Sequence, residues 1–341
     1  MGRSRILSQT LAVVLALAAG LAGAAAQAPA LDKLTLATNW LAQAEHGGFY
    51  QALADGTYRR HGLDVTIVQG GPQVDNHILM TGGRVDFVIR ANSLDAFAGV
   101  GRSDRTIVVA AMFQKDPQAL LAHPVKGVEK FADLKELTLF LSKEGRATFF
   151  AWLQSEFGFR EANVKAYSAD FKPFLADQRS ATQGYVTSEP FAIERLAGMR
   201  PRVFLLADHG FNGYSTLIEA RRETVDEKPG LVQRFVDASI IGWYNYLYGD
   251  NAGANARIKR DNPLMTDALL AHSLEKMREF GIVDSGDTLR LGIGAMTDSR
   301  MASFFDKMAK AGVVPANLDF RRAYTLRFVN KGVGLELRSR N

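Results

Sequence analysis

Short runs of alternating apolar and polar residues are separated by stretches with helical spacing over the first third of the chain. Leu34 to Thr38 alternates with a period of two, which predicts a strand, and residues 46–60 have the spacing of a helix that ends before Gly62. Further strands are predicted at 63–68, 85–89 and 106–112. This order of strands and helices predicts a mostly parallel, doubly wound sheet.

The pattern is interrupted once and then begins again. Residues 113–124 lack a clean period and contain two X-Pro pairs, so they are predicted to cross into a second lobe. Residues 208–214, rich in Gly and Asn, are predicted to cross back, so that 214–219 rejoins the first sheet and the remainder is mainly helical. Between the crossings, strands are predicted at 137–141, 164–167, 184–187 and 203–206.

We therefore expect an α/β protein with two doubly wound lobes, two crossover segments and a helical C-terminal region. Lobe 1 is predicted to consist of residues 31–115 and 213–341, and lobe 2 of residues 116–212. Ligands of open α/β sheets lie beyond the carboxyl ends of the strands. A ligand-binding cleft is therefore predicted between the two lobes.

The N-terminal segment has the pattern of an export signal. Arg3 and Arg5 precede an apolar run from Leu11 to about Ala22, and small residues continue to Ala26. This run is shorter than the ~20 residues that a membrane span requires. We predict a signal peptide at residues 1–26, cleaved near Ala26, and a mature protein in the periplasm.

The composition narrows the possible chemistry. The chain has no cysteine, which excludes disulfides, thiolate metal ligands and a lipid-modified cysteine. Its net charge of +5 is dispersed among acidic residues, so no nucleic acid partner is expected. The histidines lack metal-ligand spacing, and the chain has neither a Walker lysine nor a nucleophile elbow. We expect no cofactor, no metal site and no catalytic residue.

Three sequence blocks carry a resemblance to a known family. They are residues 39–52 (NWLAQAEHGGFYQA), residues 82–87 (GGRVDF) and residues 183–191 (QGYVTSEPF). Together with Gly62-Leu63-Asp64-Val65, they resemble substrate-binding proteins of ABC importers in the nitrate, sulfonate, taurine and thiamine-precursor class. The first block is most similar to the branch that binds pyrimidine precursors of thiamine.

The resemblance implies a type II periplasmic binding protein fold, which closes on a small molecule and presents it to a permease in the inner membrane. It also implies a monomer. The first expected ligand is a small planar heteroaromatic molecule, such as a thiamine-related pyrimidine. A sulfonate, taurine, nitrate or another small anion is the alternative, and it predicts a basic cleft with few aromatic residues. A pyrimidine-precursor synthase is a third possibility, but that family has a cysteine-rich motif that this chain lacks.

The resemblance and the strand ends together suggest ligand contacts near the start of the mature chain. Trp40 follows a strand beside Asn39, where the indole can stack on a planar ring while the amide bonds its edge. Packing between strand and helix is the alternative for Trp40. His46 begins the next helix, where its imidazole can donate to a ligand or cap the helix. Tyr50 is the next candidate, because its hydroxyl requires a partner.

Glu189 is the main acidic candidate, because it ends a strand and begins a helix. Its carboxylate can accept two N–H bonds from an aminopyrimidine, or it can complement the helix dipole. Lys143 would be an anchor only for an anionic ligand. Capping is the alternative for Ser93, and hinge packing is the alternative for Gln114, Asp116 and Tyr214. The remaining predicted ligand-binding residues are Asn92, Ser93, Gln114, Tyr185, Thr187 and Tyr214.

Overall fold

The structure is a computed structural model that describes residues 30–71, 74, 76–102, 105–167 and 170–339. The predicted signal peptide at residues 1–26 lies outside the described residues. In the described part of the chain, no helix has both the length and the apolar character that crossing a membrane requires.

The first sheet has five strands in the order β2-β1-β3-β10-β4. β1 pairs in parallel with β2 and β3, whereas β10 lies antiparallel between β3 and β4. The strand predicted at 214–219 therefore does rejoin this sheet. The strands are β1 Asp32–Ala37, β2 Leu63–Val68, β3 Phe87–Asn92, β4 Thr106–Phe113 and β10 Ser215–Arg221.

The second sheet also has five strands, in the order β7-β6-β8-β5-β9. β6 is parallel to β7 and β8, and β5 is antiparallel to β8 and β9. Each sheet thus contains one strand that runs against its neighbours, and this is compatible with the predicted mostly parallel sheets. The strands are β5 Gln118–Ala122, β6 Thr138–Leu141, β7 Val164–Ala166, β8 Ser180–Tyr185 and β9 Arg202–Leu205.

β5 corrects the prediction that residues 113–124 are a crossing. Ala119 to Ala122 are all buried, so both faces of this strand are apolar and the period of two that signals a half-buried strand is absent. Pro117 and Pro124 lie just outside the strand, where proline does not remove a ladder hydrogen bond. The outward crossing is therefore only residues 114–117.

Helices cover both sheets, and two of them approach very closely. α10 (Pro229–Tyr248) packs on α1 (Gly47–Ala54), where a Cβ on Gly48 would lie 2.2 Å from the ring of Trp243, so only glycine fits. This contact positions the segment before α1, which carries Asn39 and Trp40. The helices are α1 Gly47–Ala54, α2 Thr57–Arg60, α3 Asn76–Thr81, α4 Ser93–Arg102, α5 Lys143–Gly145, α6 Ala151–Phe157, α7 Lys172–Ala176, α8 Glu189–Ala197, α9 Arg222–Glu227, α10 Pro229–Tyr248, α11 Ala252–Asp261, α12 Asp267–Glu279, α13 Thr288–Leu291 and α14 Asp298–Lys310.

One arginine of α14 holds both crossings. Arg300 Nε donates to the carbonyl of Asn212 at 2.9 Å, and its Nη2 donates to the carbonyl of Gln114. Its guanidinium also lies 4.1 Å from the ring centroid of Tyr214, within cation–π range. The segments that connect the two sheets are therefore fixed to one side chain.

Candidate ligand-binding cleft

A cavity of about 500 Å³ lies where strand ends from the two sheets face each other. This volume is in the usual range of small-molecule sites. Many of its lining residues end or directly follow β1, β3, β6, β7 and β8, as expected for open α/β sheets. They are Asn39, Trp40, Gln43, Ala91, Asn92, Asp95, Asp116, Gln118, Ser142, Glu144, Gly145, Thr148, Phe149, Tyr167, Gln183, Gly184, Tyr185, Ser188, Glu189 and Phe211.

Aromatic rings contribute from both sheets. Trp40 follows β1 and is 43% exposed, although it is one of the largest apolar side chains in the chain. Tyr167 and Tyr185 face the same cavity from the ends of β7 and β8, and Phe149 and Phe211 also line it. Such rings can enclose a flat ligand and gain stacking energy beyond the area they bury.

Asn39 lines the cavity, and its side chain is hydrogen-bonded by His46, which lies outside the cavity. His46 Nε2 donates to Asn39 Oδ1 at 2.9 Å, which leaves the amide nitrogen of Asn39 as a donor for the cleft. Burial lowers the pKa of His46 to about 3, so this imidazole is neutral. Because Asn39 Oδ1 can only accept, we assign the proton of the neutral ring to Nε2. His46 does not line the cavity. Instead of the predicted contact with a ligand, its imidazole makes a hydrogen bond that orients the side chain of Asn39.

Glu189 lies at the predicted edge of the cavity. Its Oε2 accepts from the backbone N–H of Tyr185 at 2.6 Å and from Ser188 Oγ at 2.5 Å. Burial raises the pKa of this carboxyl, and these hydrogen bonds oppose the shift. A Cβ on Gly184 would lie 2.7 Å from Glu189 Cβ, so the glycine lets the carboxylate fold back over β8.

Three further carboxyl groups line the cavity. Asp95 lies in the first turn of α4, Glu144 in the first turn of α5, and Asp116 in the outward crossing. Burial raises the pKa of Asp116 to about 6, and the charges of Asp95 and Glu144 add to the shift. Burial and the charge of Asp95 also raise the pKa of Glu144. No lysine or arginine is among the described residues that line the cavity.

Lys143, the predicted anchor for an anionic ligand, is exposed and outside the cavity, although Ser142 and Glu144 on either side line it. Tyr50 is also outside. It is 1% exposed, and its hydroxyl donates to Asp261 Oδ2 at 3.1 Å, because its face of α1 packs against α11. These two positions correct the sequence predictions.

Ser93, at the start of α4, and Gln114 and Tyr214, in the two crossings, do not line the cavity. The backbone N–H of Tyr214 donates to Ser93 Oγ at 3.0 Å, and the Tyr214 hydroxyl donates to Asp287 Oδ2 at 3.0 Å. Gln114 is 1% exposed, and its Nε2 donates to the carbonyl of Ala295 at 3.0 Å. Gln114 and Tyr214 therefore pack within the crossings, as the alternative interpretation of these two residues predicted.

Thr187 lies next to the cavity in a contact between the two halves of the molecule. Its hydroxyl donates to Glu45 Oε1, and its carbonyl accepts from Ser273 Oγ at 2.8 Å. Thr187 is fully buried, because β8 ends at Tyr185 and the chain then turns inward. The strand predicted at 184–187 is therefore displaced relative to β8, Ser180–Tyr185. Thr187 was predicted to bind the ligand, but it does not line the cavity.

Asn39, Trp40, Asn92, Tyr185 and Glu189 are the predicted residues that the structure brings together around the cavity. Sequence reasoning missed Asp95 and Glu144, whose signal was an acid in the first turn after a strand end. Asp116 was placed at the outward crossing but was not among the predicted ligand-binding residues. Gln43, Gln118, Ser142, Tyr167 and Gln183 were also missed, and of these Ser142 and Tyr167 follow strands directly.

A model of the family described as "NMT1/THI5 like" matches residues 43–250. The riboflavin-binding protein RibY of Chloroflexus aurantiacus is 23% identical over 316 residues, which cover 89% of this chain and 88% of that protein.

Solved structures of similar fold include the periplasmic aliphatic sulphonate binding protein SsuA of Escherichia coli, with a TM-score of 0.64, 14% identity and coverage of 86% of this chain and 91% of that one. The desulfurization enzyme DSZB has a TM-score of 0.56 and 14% identity, with coverage of 87% and 97%. The chain therefore has the fold of periplasmic binding proteins, which confirms the predicted fold class.

Proposed function

Since this chain belongs to the NMT1/THI5-like family, we propose that it is the solute-binding component of an ABC importer. In this role it captures a small planar heteroaromatic molecule, such as a thiamine-related pyrimidine, and delivers it to a permease in the inner membrane. The observation that carries the proposal is the exposed indole of Trp40, which shares one cavity with the carboxylate of Glu189.

Each part of a planar ligand has a matching group in the cleft. Trp40, Tyr167 and Tyr185 offer faces for stacking. The amide nitrogen of Asn39 can donate to a ring acceptor, since its oxygen is already bonded to His46. Glu189 can accept from an exocyclic amine or a protonated ring nitrogen. RibY is named for binding riboflavin, which is also a flat heteroaromatic molecule, so a flavin belongs among the candidate ligands.

A small sulfonate or other anion is the second candidate. The likeness in fold to SsuA favours it, and so do the starts of α4 and α8 at the cavity, because helix starts attract anions. However, both helices carry an acid in the first turn, Asp95 and Glu189, which already occupies this favourable position. The acidic and aromatic lining is the opposite of the basic, poorly aromatic cleft expected for this ligand class.

We also propose that the protein is exported, that its signal peptide is removed near Ala26, and that it acts as a monomer without catalysis. The fold likeness to DSZB raises an enzymatic alternative. The chain has no cysteine, whereas the related pyrimidine-precursor synthases have a cysteine-rich motif.

A thermal-shift panel tests this function directly. A hydroxymethyl aminopyrimidine of the thiamine type, riboflavin and taurine would each be added to the purified mature protein. A ligand present at 100 times its dissociation constant stabilises the folded state by about 2.7 kcal/mol, which raises the melting temperature by several degrees. We expect a shift with a heteroaromatic compound and none with taurine. A shift with taurine alone would reject the heteroaromatic assignment.

A further inference from the structure

Two glutamine side chains line the cavity from neighbouring strands of the second sheet. Gln118 begins β5, and Gln183 lies near the end of β8. The register pairs Gln118 with Tyr185, so Gln183 is the diagonal neighbour of Gln118 on the same face of the sheet. Diagonal neighbours are about 7–8 Å apart, a distance that long side chains can span. One small ring can therefore contact both amides.

The backbone holds each of these amides in one orientation. The N–H of Ser142 donates to Gln183 Oε1 at 2.6 Å, and because a backbone N–H can only donate, the amide oxygen must face it. Gln118 Nε2 donates to the carbonyls of Ala119 and Gly184, both at 3.1 Å, so the amide nitrogen must face them. Turning either amide over would place donor against donor or acceptor against acceptor.

The remaining polar atoms of the two amides have opposite hydrogen-bonding roles. Gln183 keeps its Nε2 as a donor and Gln118 keeps its Oε1 as an acceptor, and within the described residues neither atom has a hydrogen-bond partner. Neither is among the fully buried polar atoms that lack a partner, so both are open to the cavity that their side chains line. The cleft thus offers a fixed donor beside a fixed acceptor.

We infer that the ligand ring has an amidine or amide edge, on which Gln183 donates to an acceptor atom and Gln118 accepts from the donor beside it. The inference rests on the proposed function and deepens it, because it specifies one edge of the heteroaromatic ring. An aminopyrimidine presents a ring nitrogen beside an amine, and a flavin presents a carbonyl beside a ring N–H. The amine has a second N–H, which remains for Glu189.

The same pair of amides disfavours the anionic alternative. A sulfonate or nitrate group carries only acceptor atoms, so it can bond Gln183 Nε2 but has nothing to donate to Gln118 Oε1. Its negative oxygens would face that carbonyl oxygen, and an acceptor that loses water without gaining a donor costs binding energy.

Two pairs of probes, each differing by one donor, test the inference. The first pair is the hydroxymethyl aminopyrimidine and the same ring with a methyl group in place of the amine. The second pair is riboflavin and its derivative methylated at the ring nitrogen between the two carbonyls. By calorimetry near neutral pH, we expect the probe with the donor to bind about tenfold more tightly in one pair, which identifies the edge as amidine or amide.

Gln118→Met shows whether Gln118 accepts from this donor. Methionine has a similar length but no carbonyl oxygen, so the preference for the probe with the donor should fall to about twofold or less. Gln154→Met is the matched control, because Gln154 is exposed on α6 of the same half, outside the cavity, and it should keep the tenfold preference. An unchanged preference in Gln118→Met would contradict the role of Gln118.

Gln183→Glu tests the donor while keeping the contact with Ser142. One carboxylate oxygen can still accept from the Ser142 N–H, but the other is an acceptor in the place of the amide nitrogen and opposes the acceptor of the ring. The preferred probe should bind at least about tenfold more weakly. Gln154→Glu adds the same charge outside the cavity and should bind as the wild type does. Equal or tighter binding in Gln183→Glu would contradict the role of Gln183.

The results with the wild type separate this inference from the proposed function. If both members of a pair bind with equal affinity, and no pair shows a preference, the protein binds a heteroaromatic ring but its edge is not read by the two glutamines. If none of the four rings binds, the proposed ligand class and the inference are both rejected.

Discussion

At the scale of single residues, the cleft is defined by groups held in unfavourable surroundings. Trp40 is exposed although it is apolar, and Asp116 is 3% exposed although it is acidic. Both positions are unfavourable for stability, and a ligand that covers the ring and hydrogen-bonds the carboxyl group would relieve both costs. The cavity is therefore lined by side chains whose solvent exposure is unfavourable for their residue type.

Asp116→Asn is expected to stabilise the unliganded protein as the pH rises. The folded pKa of Asp116 is about 6 against 3.8 for an unperturbed aspartate, so its contribution to stability is complete below 3.8 and is lost as pH rises through 6. The variant should gain roughly 3 kcal/mol over the wild type at neutral pH and nothing near pH 3.8. Urea unfolding of both proteins across this range measures the difference.

The lowered pKa of His46 has the opposite effect on stability, but it is present in both proteins and cancels in the comparison. A constant difference between the variant and the wild type at every pH would show that the pKa of Asp116 is the same in the folded and unfolded states and is not raised by burial.

Trp40→Ala and Glu189→Gln should each weaken ligand binding without unfolding the protein. Loss of a charge-assisted contact at Glu189 costs roughly 1.5–3 kcal/mol, or about ten- to a hundredfold in affinity. Trp40 is 43% exposed and does not belong to the hydrophobic core, so its removal leaves no cavity there. Calorimetry with the ligand found in the panel measures both effects. Unchanged affinity in both variants would reject the cleft assignment.

At the scale of elements, close helix packing determines where the cleft residues lie. α10 lies against α1 and thereby directs the preceding segment, including Asn39 and Trp40, toward the second sheet. The turn after β8 acts in the same way, because Glu189 lines the cavity while Thr187 contacts the other half. An element that packs well on one side can therefore orient a binding group on the other.

Gly48→Ala should destabilise the protein although alanine favours helices. The added Cβ would lie 2.2 Å from the Trp243 ring, and overpacking of this kind costs about 1–3 kcal/mol beyond the helix propensity gained. Gly230→Ala is the matched control, since its Cβ meets nothing within 4 Å in the same helix pair. Urea denaturation should show a loss for the first variant and none for the second.

Thr187→Val should weaken ligand binding by about tenfold, because it removes a hydrogen bond to a carboxylate that joins the two halves next to the cavity. Thr182→Val is the control. Thr182 is also buried, but its hydroxyl bonds only the neighbouring carbonyl of Gln183 in the same strand. Equal loss of affinity in both variants would mean that the contact with Glu45 has no part in closure.

At the scale of the whole molecule, two sheets are connected by two short segments that share one arginine. Arg300 bonds the carbonyls of Gln114 and Asn212, so the outward and return crossings are held in a common position. Because one side chain bonds both segments, the position of one crossing depends on the position of the other.

Arg300→Lys should lower the free energy of unfolding by about 2–3 kcal/mol, because lysine keeps the charge but cannot donate in a planar fork to both crossings. Arg290→Lys, on an exposed position of α13, should change stability by less than about 0.5 kcal/mol. Urea unfolding compares the two variants. A loss in Arg300→Lys no larger than in Arg290→Lys would show that the fork does not hold the hinge.

Local periodicity was sufficient to locate most of the strands, because a half-buried strand shows its two faces in its own residues. β2 was predicted with its exact bounds, 63–68, and β4 within one residue. The same reasoning failed at β5, which is buried on both faces and has no alternation. It also displaced β8 by several residues, since Val186 and Thr187 are buried by the turn rather than by the sheet.

The sequence by itself determined the α/β order, the return of the chain to the first sheet and the placing of Asn39, Trp40, Asn92 and Glu189 at strand ends, since all of these follow from short-range spacing. Only the tertiary structure decided that His46 and Tyr50 lie outside the cavity, whereas Asp95, Asp116 and Glu144 line it. The direction of a side chain depends on the element packed against it, and that element is remote in the chain. A shared cavity is likewise a property of segments that only folding brings together.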